Sequence, residues 1–437
     1  MVWQNWARTA SADPEVVERP ADDAEVAAVV RWAGARGKRV RAVGAGHSFT
    51  DCAATDGALL SLDAMDRIEH VGATGADGSR EVRVGAGIRL HKLCTELAVL
   101  GLAMENMGDI DRQSIAGAIS TGTHGTGARL GGFATQVRAV RLVTAAGAIV
   151  EASPTQRPEE FELARLGLGT AGVLTAVTLR AVPAFELEAH EVPLPLAHVL
   201  ESLPDDDGLV ASHDHVEFYW WPYTNVAQVK INDRRGTGAG PLRPVRRLVE
   251  DEILSNGALT LTTELCASIE ALTPAINTVA SRALTERRYR GPSYRVFTAR
   301  RRVRFREMEY AVPRASVVPL LREIDAWLRR TRENVPLPIE VRFAAADDVW
   351  LSTAHRRETA YIAVHQARRL PYARYFRAVE AMVAEHAGRP HWGKLHRLRA
   401  DDLRTLYPRF DDALSVRDAV DPDRVFGNAY TERVLGS

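Results

Sequence analysis

The stretch Arg41-Ala42-Val43-Gly44-Ala45-Gly46-His47-Ser48-Phe49 decides how this chain is read. A helix expected over 20–36 and a strand expected at Arg39–Val43 run into a turn where two glycines stand just before a histidine. Glycines at such a turn let backbone N–H groups approach a ligand closely, and they hold one imidazole at a fixed place on the rim. The turn is not a Rossmann fingerprint, because Phe49 stands where the third glycine would be. No Gly-Lys-Ser/Thr follows, so it is not a Walker loop either.

Two further segments extend the pattern. Gly108-Asp109-Ile110-Asp111-Arg112-Gln113-Ser114 leads through the small residues Ala116, Gly117 and Ala118 into Thr121-Gly122-Thr123-His124-Gly125-Thr126-Gly127. A backbone this bare presses against something flat or charged, either a ligand or a packed sheet. Near the C-terminus, His391-Trp392-Gly393-Lys394 reads as a tight turn around an indole that holds a lysine inward.

Charges inside apolar strands are the third signal. In Ile339-Glu340-Val341-Arg342-Phe343, Glu340 and Arg342 share one strand face and the apolar residues share the other. Tyr361-Ile362-Ala363-Val364-His365-Gln366 is also strand-like. If the two strands pair, a carboxylate, a guanidinium and an imidazole converge on one surface. The basic run Arg300-Arg301-Arg302-Val303-Arg304-Phe305-Arg306 reads as the solvated face of a strand.

Composition sets the bounds. The 437 residues are 46% hydrophobic and 26% charged, with 56 basic and 56 acidic side chains and zero formal net charge. Nothing in that balance points to nucleic acid or an anionic membrane. Cys52, Cys94 and Cys266 are widely spaced and make neither a zinc pattern nor a disulfide framework. No metal site is expected. There is no apolar leader and no run of about 18 apolar residues, so the expectation is a cytoplasmic protein without a membrane span.

The expected fold class is α+β. Asp22 and Glu25 form a capping-box signature for the first helix. Strands are expected at Ala58–Leu62, Glu81–Val84, Ala139–Thr144, Ile149–Ala152 and Val173–Arg180, with helices at Leu90–Leu100 and 160–168. Past Pro183 the texture becomes antiparallel: Phe185–Val192, His215–Trp221 and Ala227–Ile231. A loop at 236–244 and helices at 245–256, 264–285, 315–330 and 372–387 follow, with strands at Tyr294–Val303, Ile339–Ala344 and Ala360–Gln366.

Taken together, the Gly44–Ser48 turn, the Gly122–Gly127 loop and His391–Lys394 resemble the aldonolactone oxidase and alditol oxidase branch of the vanillyl-alcohol-oxidase-type flavoproteins, a group that includes L-gulonolactone oxidase and D-arabinono-1,4-lactone oxidase. Trp3-Gln4-Asn5-Trp6 and Phe426-Gly427-Asn428-Ala429-Tyr430 fit as well, so the likeness spans essentially the whole chain. It implies a PCMH-type FAD domain of two α+β subdomains over 1–183, a cap domain with a large antiparallel sheet over 184–395, and a segment 396–437 that returns to the FAD domain. It implies FAD bonded covalently to His47 and wrapped by Val43, Gly44, Ala45, Gly46, Ser48, Gly117, Gly122, Thr123, His124, Gly125 and Gly127. Gly108, Asp109, Ser114, Gly172 and Val173 complete the cofactor site.

The resemblance places Glu340, Arg342, His365 and Lys394 around the substrate, with Ser114 touching both ring and substrate. Lys394, desolvated beside Arg342, is expected to accept the hydroxyl proton, with Glu340 or His365 as alternatives. The implied reaction is oxidation of a sugar 1,4-lactone at its C2 hydroxyl by hydride transfer to flavin N5. Dioxygen or another acceptor then reoxidises the flavin. The alternatives are an alditol oxidase acting on xylitol or sorbitol, and a nucleotide- or flavin-binding protein without catalysis.

Overall fold

The computed structural model describes residues 2–204, 207–234, 240–241, 263–266, 268–299 and 303–437. The expected helix at 245–256, most of the 236–244 loop and Arg300–Arg302 lie outside the described residues.

The N-terminal part holds two small sheets. Val16–Glu18, Ala58–Ser61 and Val40–Val43 form a three-stranded parallel sheet with Ala58–Ser61 in the middle. Helix Asp23–Gly34 connects two of these strands. It starts where the Asp22 side chain accepts the Glu25 N–H, and it buries Val26, Ala27, Val30 and Ala33. The second sheet is antiparallel, in the order Ile149–Ala152, Val137–Val143, Val173–Pro183, Arg80–Gly85, Ile68–Thr74, with Leu102–Ala103 beside Val173–Pro183.

The third sheet is the large one. Its order is Arg287–Pro292, Glu186–Pro195, Val226–Asp233, His215–Trp220, Ile339–Ala344, Thr359–Ala367, Phe305–Pro313, Arg389–Pro390, antiparallel throughout. Period-two alternation sorts its faces. Phe218, Trp220, Ile339, Val341, Ile362, Val364, Met308 and Tyr310 pack into one core with residues of helices Val317–Thr331 and Ala373–Ala384. The residues between them in these strands are polar yet buried: Glu217, Glu340, Arg342, His365, Glu307 and Glu309. These polar residues turn toward the loops of the N-terminal part. The α+β class and the large antiparallel sheet are as the sequence leads one to expect.

The C-terminal helices Ala400–Leu406, Phe410–Val420 and Ala429–Leu435 share a core with the N-terminal sheets through Leu403, Tyr407, Phe410, Phe426 and Tyr430. Asn428 caps the last helix and donates to the carbonyls of Asp51, Cys52 and Ala54 at 2.9–3.1 Å.

Two expectations are corrected. The strand expected at Tyr294–Val303 is a short helix, Ser293–Phe297, because the edge strand Arg287–Pro292 ends at a proline. The helix expected over 264–285 is interrupted: a 3₁₀ turn at Glu270–Leu272 precedes helix Thr273–Arg282, whose first turn carries Pro274, where the missing N–H costs nothing. Of the basic run, Arg306 lies in strand Phe305–Pro313 and Arg304 just before it, while Arg300–Arg302 lie outside the described residues.

The loop after Ile339–Ala344 carries a pH-sensitive group. Burial pushes the Asp347 carboxyl up to about 6, against bonds from the Ser352 hydroxyl and the Val349 N–H. A carboxyl raised above its usual 3.8 contributes stability that is present at acid pH and lost as pH rises through about 6. Asp347→Asn keeps an acceptor for Val349 and removes the charge. It is expected to raise Tm by about 2–4 °C at pH 8 and to leave it unchanged at pH 4. Equal Tm values at pH 8 would refute the assignment.

Candidate active site

The turn after strand Val40–Val43 is gripped from three sides. The Trp6 N–H donates to the Gly46 carbonyl at 2.8 Å, the Asn5 amide donates to the Ser48 carbonyl at 2.9 Å, and the Phe49 N–H donates to the Gly393 carbonyl at 2.7 Å. Gly46 has φ +65°, a conformation that favours glycine. A Cβ on Gly44 would lie 2.2 Å from Ser114 Oγ. That hydroxyl is not free to swing away, because it caps helix Ile115–Ser120 through the Gly117 N–H. The two loops therefore meet face to face, and only a bare backbone allows it.

A cleft of about 1030 Å³, open to solvent on one side, runs along this contact. Val43, Gly44, Ala45, Gly46, His47, Ser48, Ser114, Gly117, Gly172 and Val173 line it. A second cleft of about 610 Å³ is lined by Gly108, Asp109, Thr123, His124, Arg342 and Lys394. His47, Ser48, Gln113 and Thr121 belong to both. A bare-walled cleft that meets a charged pocket at one end fits a flavin dinucleotide. Gly122, Gly125 and Gly127 line neither cleft. The Gly127 N–H donates instead to Phe343 O of the large sheet, and Gly125 O pairs with His124 Nδ1.

Burial pushes His47 down to about 4, helped by the positive charges of Lys394 and Arg89. Its ring is neutral at ordinary pH and lies 5.5 Å from the ring of Trp6.

Two ionic groups occupy the inner face of the large sheet. In the first, Arg342 Nε donates to Glu217 at 2.9 Å, and its Nη2 pairs with Glu340 and, at 3.4 Å, with Asp109. The Tyr219 hydroxyl donates to Glu340 at 3.2 Å, and Lys230 stands 3.4 Å from Glu217. Burial opposes charge on Arg342, but Glu340, Glu217 and Asp109 outweigh it and raise the guanidinium well above its usual range. In the second group, Lys394 pairs with Glu307 at 2.5 Å and with Glu309 at 3.8 Å. Burial pushes Glu307 up, but Lys394 and His365 outweigh it and hold the carboxyl at about 2.

His365 lies between the groups. Its Nδ1 donates to Pro338 O at 2.8 Å, while its Nε2 makes no hydrogen bond among the described residues and lies 3.6 Å from Glu307 and 4.0 Å from Glu340.

The geometry refines the expected set. Arg342 and Lys394 line the second cleft, whereas Glu340 and His365 are buried behind its wall. The ion partners of Lys394 are Glu307 and Glu309, so the picture of a lysine desolvated beside Arg342 gives way to an ion pair. Residue-by-residue reading missed Glu307, Glu309, Glu217 and Gln113. The first two carried a signal: Glu307 and Glu309 alternate with Met308 and Tyr310, as Glu340 and Arg342 alternate with Val341 and Phe343.

One trio among the described residues brings potential metal-ligand atoms together, His124, Glu309 and His391, within 4.8 Å. Its hydrogen bonds indicate another use. His391 Nδ1 accepts the Gly393 N–H at 3.0 Å, which leaves its proton on Nε2 and no lone pair for a cation. His124 Nε2 pairs with Glu309 at 2.9 Å, and its ring stacks on Tyr361 at 3.5 Å. The trio is a hydrogen-bonded wall between loop and sheet.

Comparison with known proteins shows the family. The family model for D-arabinono-1,4-lactone oxidase matches residues 177–434, and that for an FAD binding domain matches residues 14–153. The chain is 41% identical over 436 residues to L-gulono-1,4-lactone dehydrogenase of Mycobacterium tuberculosis, covering 100% of this chain and 99% of the relative. It is 32% identical over 452 residues to alditol oxidase of a Streptomyces species, covering 99% and 98%. Cholesterol oxidase from Brevibacterium sterolicum shares the fold, with TM-score 0.83 at 19% identity over 99% of this chain and 96% of that one. The chain belongs to the D-arabinono-1,4-lactone oxidase family of FAD-dependent oxidoreductases.

Proposed function

We propose that the chain oxidises a sugar 1,4-lactone, of the L-gulono-, L-galactono- or D-arabinono- type, at its C2 hydroxyl. The observation that carries this reading is the junction of the two clefts: Arg342 and Lys394 line the pocket whose wall also holds His47. Bound FAD supplies the two-electron acceptor, which dioxygen or another acceptor restores. Arg342, clamped in one orientation by three carboxylates, hydrogen-bonds a substrate oxygen and stabilises negative charge developing near it. Lys394, fixed by Glu307, orients the hydroxyl. The open Nε2 of His365, facing Glu307 and Glu340, receives the hydroxyl proton through one of those carboxylates. Ser114 sits on the shared loop contact and aligns the C–H bond.

His47, neutral and held by its turn, has the lone pair needed to bond the flavin 8α carbon. The organisation as 1–183 FAD domain, 184–395 cap and 396–437 returning segment belongs to the same reading. So does a cytoplasmic location; no helix among the described residues is long and apolar enough to cross a membrane.

A second reading, oxidation of an alditol such as xylitol or sorbitol, is favoured by the alditol oxidase relative. One measurement separates them. Under anaerobic conditions the visible flavin band of the holoenzyme is expected to bleach with a sugar 1,4-lactone, at least about tenfold faster than with xylitol. The reverse order selects the alditol reading, and no bleaching with either removes both.

A further inference from the structure

Among the described residues that line the first cleft, Arg41 is the only arginine or lysine. It lies in strand Val40–Val43, just before the Gly44–Ser48 turn, and is 5% exposed. Its Nη1 donates to Phe426 O at 2.5 Å and its Nη2 to Leu168 O at 2.7 Å, while its Nε makes no hydrogen bond among the described residues. Thr50, which lines the same cleft, also has a buried hydroxyl without a partner among them.

No carboxylate among the described residues forms an ion pair with this guanidinium. Asp421 and Cys52 are the groups whose charge would favour it. Asp421 is spent on the N–H groups of Val425 and Phe426, each at 2.8 Å. Asp63, the carboxylate that lines the cleft, pairs with Arg89. Two carbonyls give Arg41 hydrogen bonds but no opposite charge. Burial accordingly lowers the guanidinium from its usual range, whereas carboxylates raise Arg342 well above it. A buried cation without a counter-ion is costly to keep. A guanidinium on the wall of a cleft is also the group best shaped to take a phosphate.

We propose that Arg41 is a cofactor-positioning residue whose counter-ion is the diphosphate of FAD. The bare turn at Gly44–Gly46 offers backbone N–H groups to the same anion, and Arg41 supplies the charge that those groups lack. Its bonds to Leu168 and Phe426 hold the fork in place and join the strand to the returning C-terminal segment. The proposal rests on the FAD cofactor and is independent of which substrate is oxidised.

The test uses the full-length His47→Ala chain, whose flavin is expected to be exchangeable, and reads binding from flavin fluorescence. Adding Arg41→Met is expected to weaken FAD about 100-fold, as truncating one partner of a buried charge pair does. ADP and adenosine then compete against FAD; they share the base and ribose and differ in the diphosphate. The His47→Ala parent should bind ADP at least about 30-fold tighter than adenosine, and Arg41→Met should reduce that preference about tenfold or more by weakening ADP alone. Arg41→Lys keeps the charge and loses the fork. It should hold FAD within about tenfold of the parent while melting earlier, because a carbonyl bond is lost.

A strut that merely joins two carbonyls predicts something else: ADP and adenosine weaken together, and the lysine variant binds FAD as poorly as the methionine variant. Either result overturns the proposal, as does a methionine variant that binds FAD within threefold of the parent. Should the methionine variant not fold, the parent's preference for ADP and the lysine variant still decide. Failure of the cofactor assignment looks different: the parent then binds neither FAD nor ADP.

Discussion

Replacing Arg342 with methionine is expected to lower the rate of anaerobic flavin reduction by a sugar lactone about a thousandfold. Loss of one preorganised donor facing developing charge costs about 100- to 1000-fold in comparable sites, and here the donor also orders its neighbours. Arg342 joins Glu217, Glu340 and Asp109. Without it, the buried carboxylates of Glu217 and Glu340 lose a shared cation. Removing one partner of a buried pair costs about 3–5 kcal/mol, because the remaining charge is uncompensated. The variant should therefore also melt earlier.

Two companion variants separate chemistry from stability. Arg342→Lys keeps the charge and loses the planar fork, so it should fold better than the methionine variant while remaining slow. Adding Glu217→Gln to Arg342→Met should recover part of the lost Tm and none of the rate. Stopped-flow reduction and thermal melts give both readouts. A methionine variant with near-native reduction rate would remove Arg342 from the chemistry.

Much of this site is legible in the sequence, and the reason is physical. The Gly44–Ser48 turn stands out because a backbone that must approach another backbone or a ligand can tolerate only glycine, as the 2.2 Å gap between a Gly44 Cβ and Ser114 shows. Glu340 and Arg342 stand out because charges alternate with apolar residues in a strand buried on both faces. Glu307 and Glu309 obey the same rule but lie just after a basic run, and that run drew the reading toward solvent.

Other features could not be read locally. Gly125 and Gly127 look like ligand-wrapping glycines, yet Gly127 joins the large sheet through Phe343. A small residue needed for close packing and one needed for a ligand leave the same mark in sequence. The partner of Lys394 was likewise hidden. Glu307 is 87 positions away along the chain, brought close because the Lys394–Leu395 turn crosses the end of strand Phe305–Pro313, where the Leu395 N–H donates to the Glu307 carbonyl. Pairings of this kind depend on topology, and no spacing rule reports them.

The largest spectroscopic effect is expected at the opposite wall. Acid-denatured wild-type chain should retain yellow, fluorescent flavin, and His47→Ala should lose all of it, because no other imidazole lines the first cleft among its described residues. The neighbouring histidines are otherwise engaged: His124 is held by Glu309 and Tyr361, and His391 accepts the Gly393 N–H. Substitution leaves the turn itself in place, since its contacts with Trp6, Asn5 and Gly393 run through the backbone of Gly46, Ser48 and Phe49. The variant should still bind added FAD and turn over slowly, at about a tenth of the native rate, which corresponds to a barrier raised by ~1.4 kcal/mol.

The attachment step should follow the protonation of His47. Its ring is neutral above about 4, so incorporation of FAD into apoprotein should be insensitive to pH between 6 and 8 and should fall only as pH approaches that value. An incorporation rate that instead rises through pH 6 to 8 would mean that the imidazole is protonated in its turn. Flavin that stays bound to the acid-denatured His47→Ala chain would place the bond on another residue.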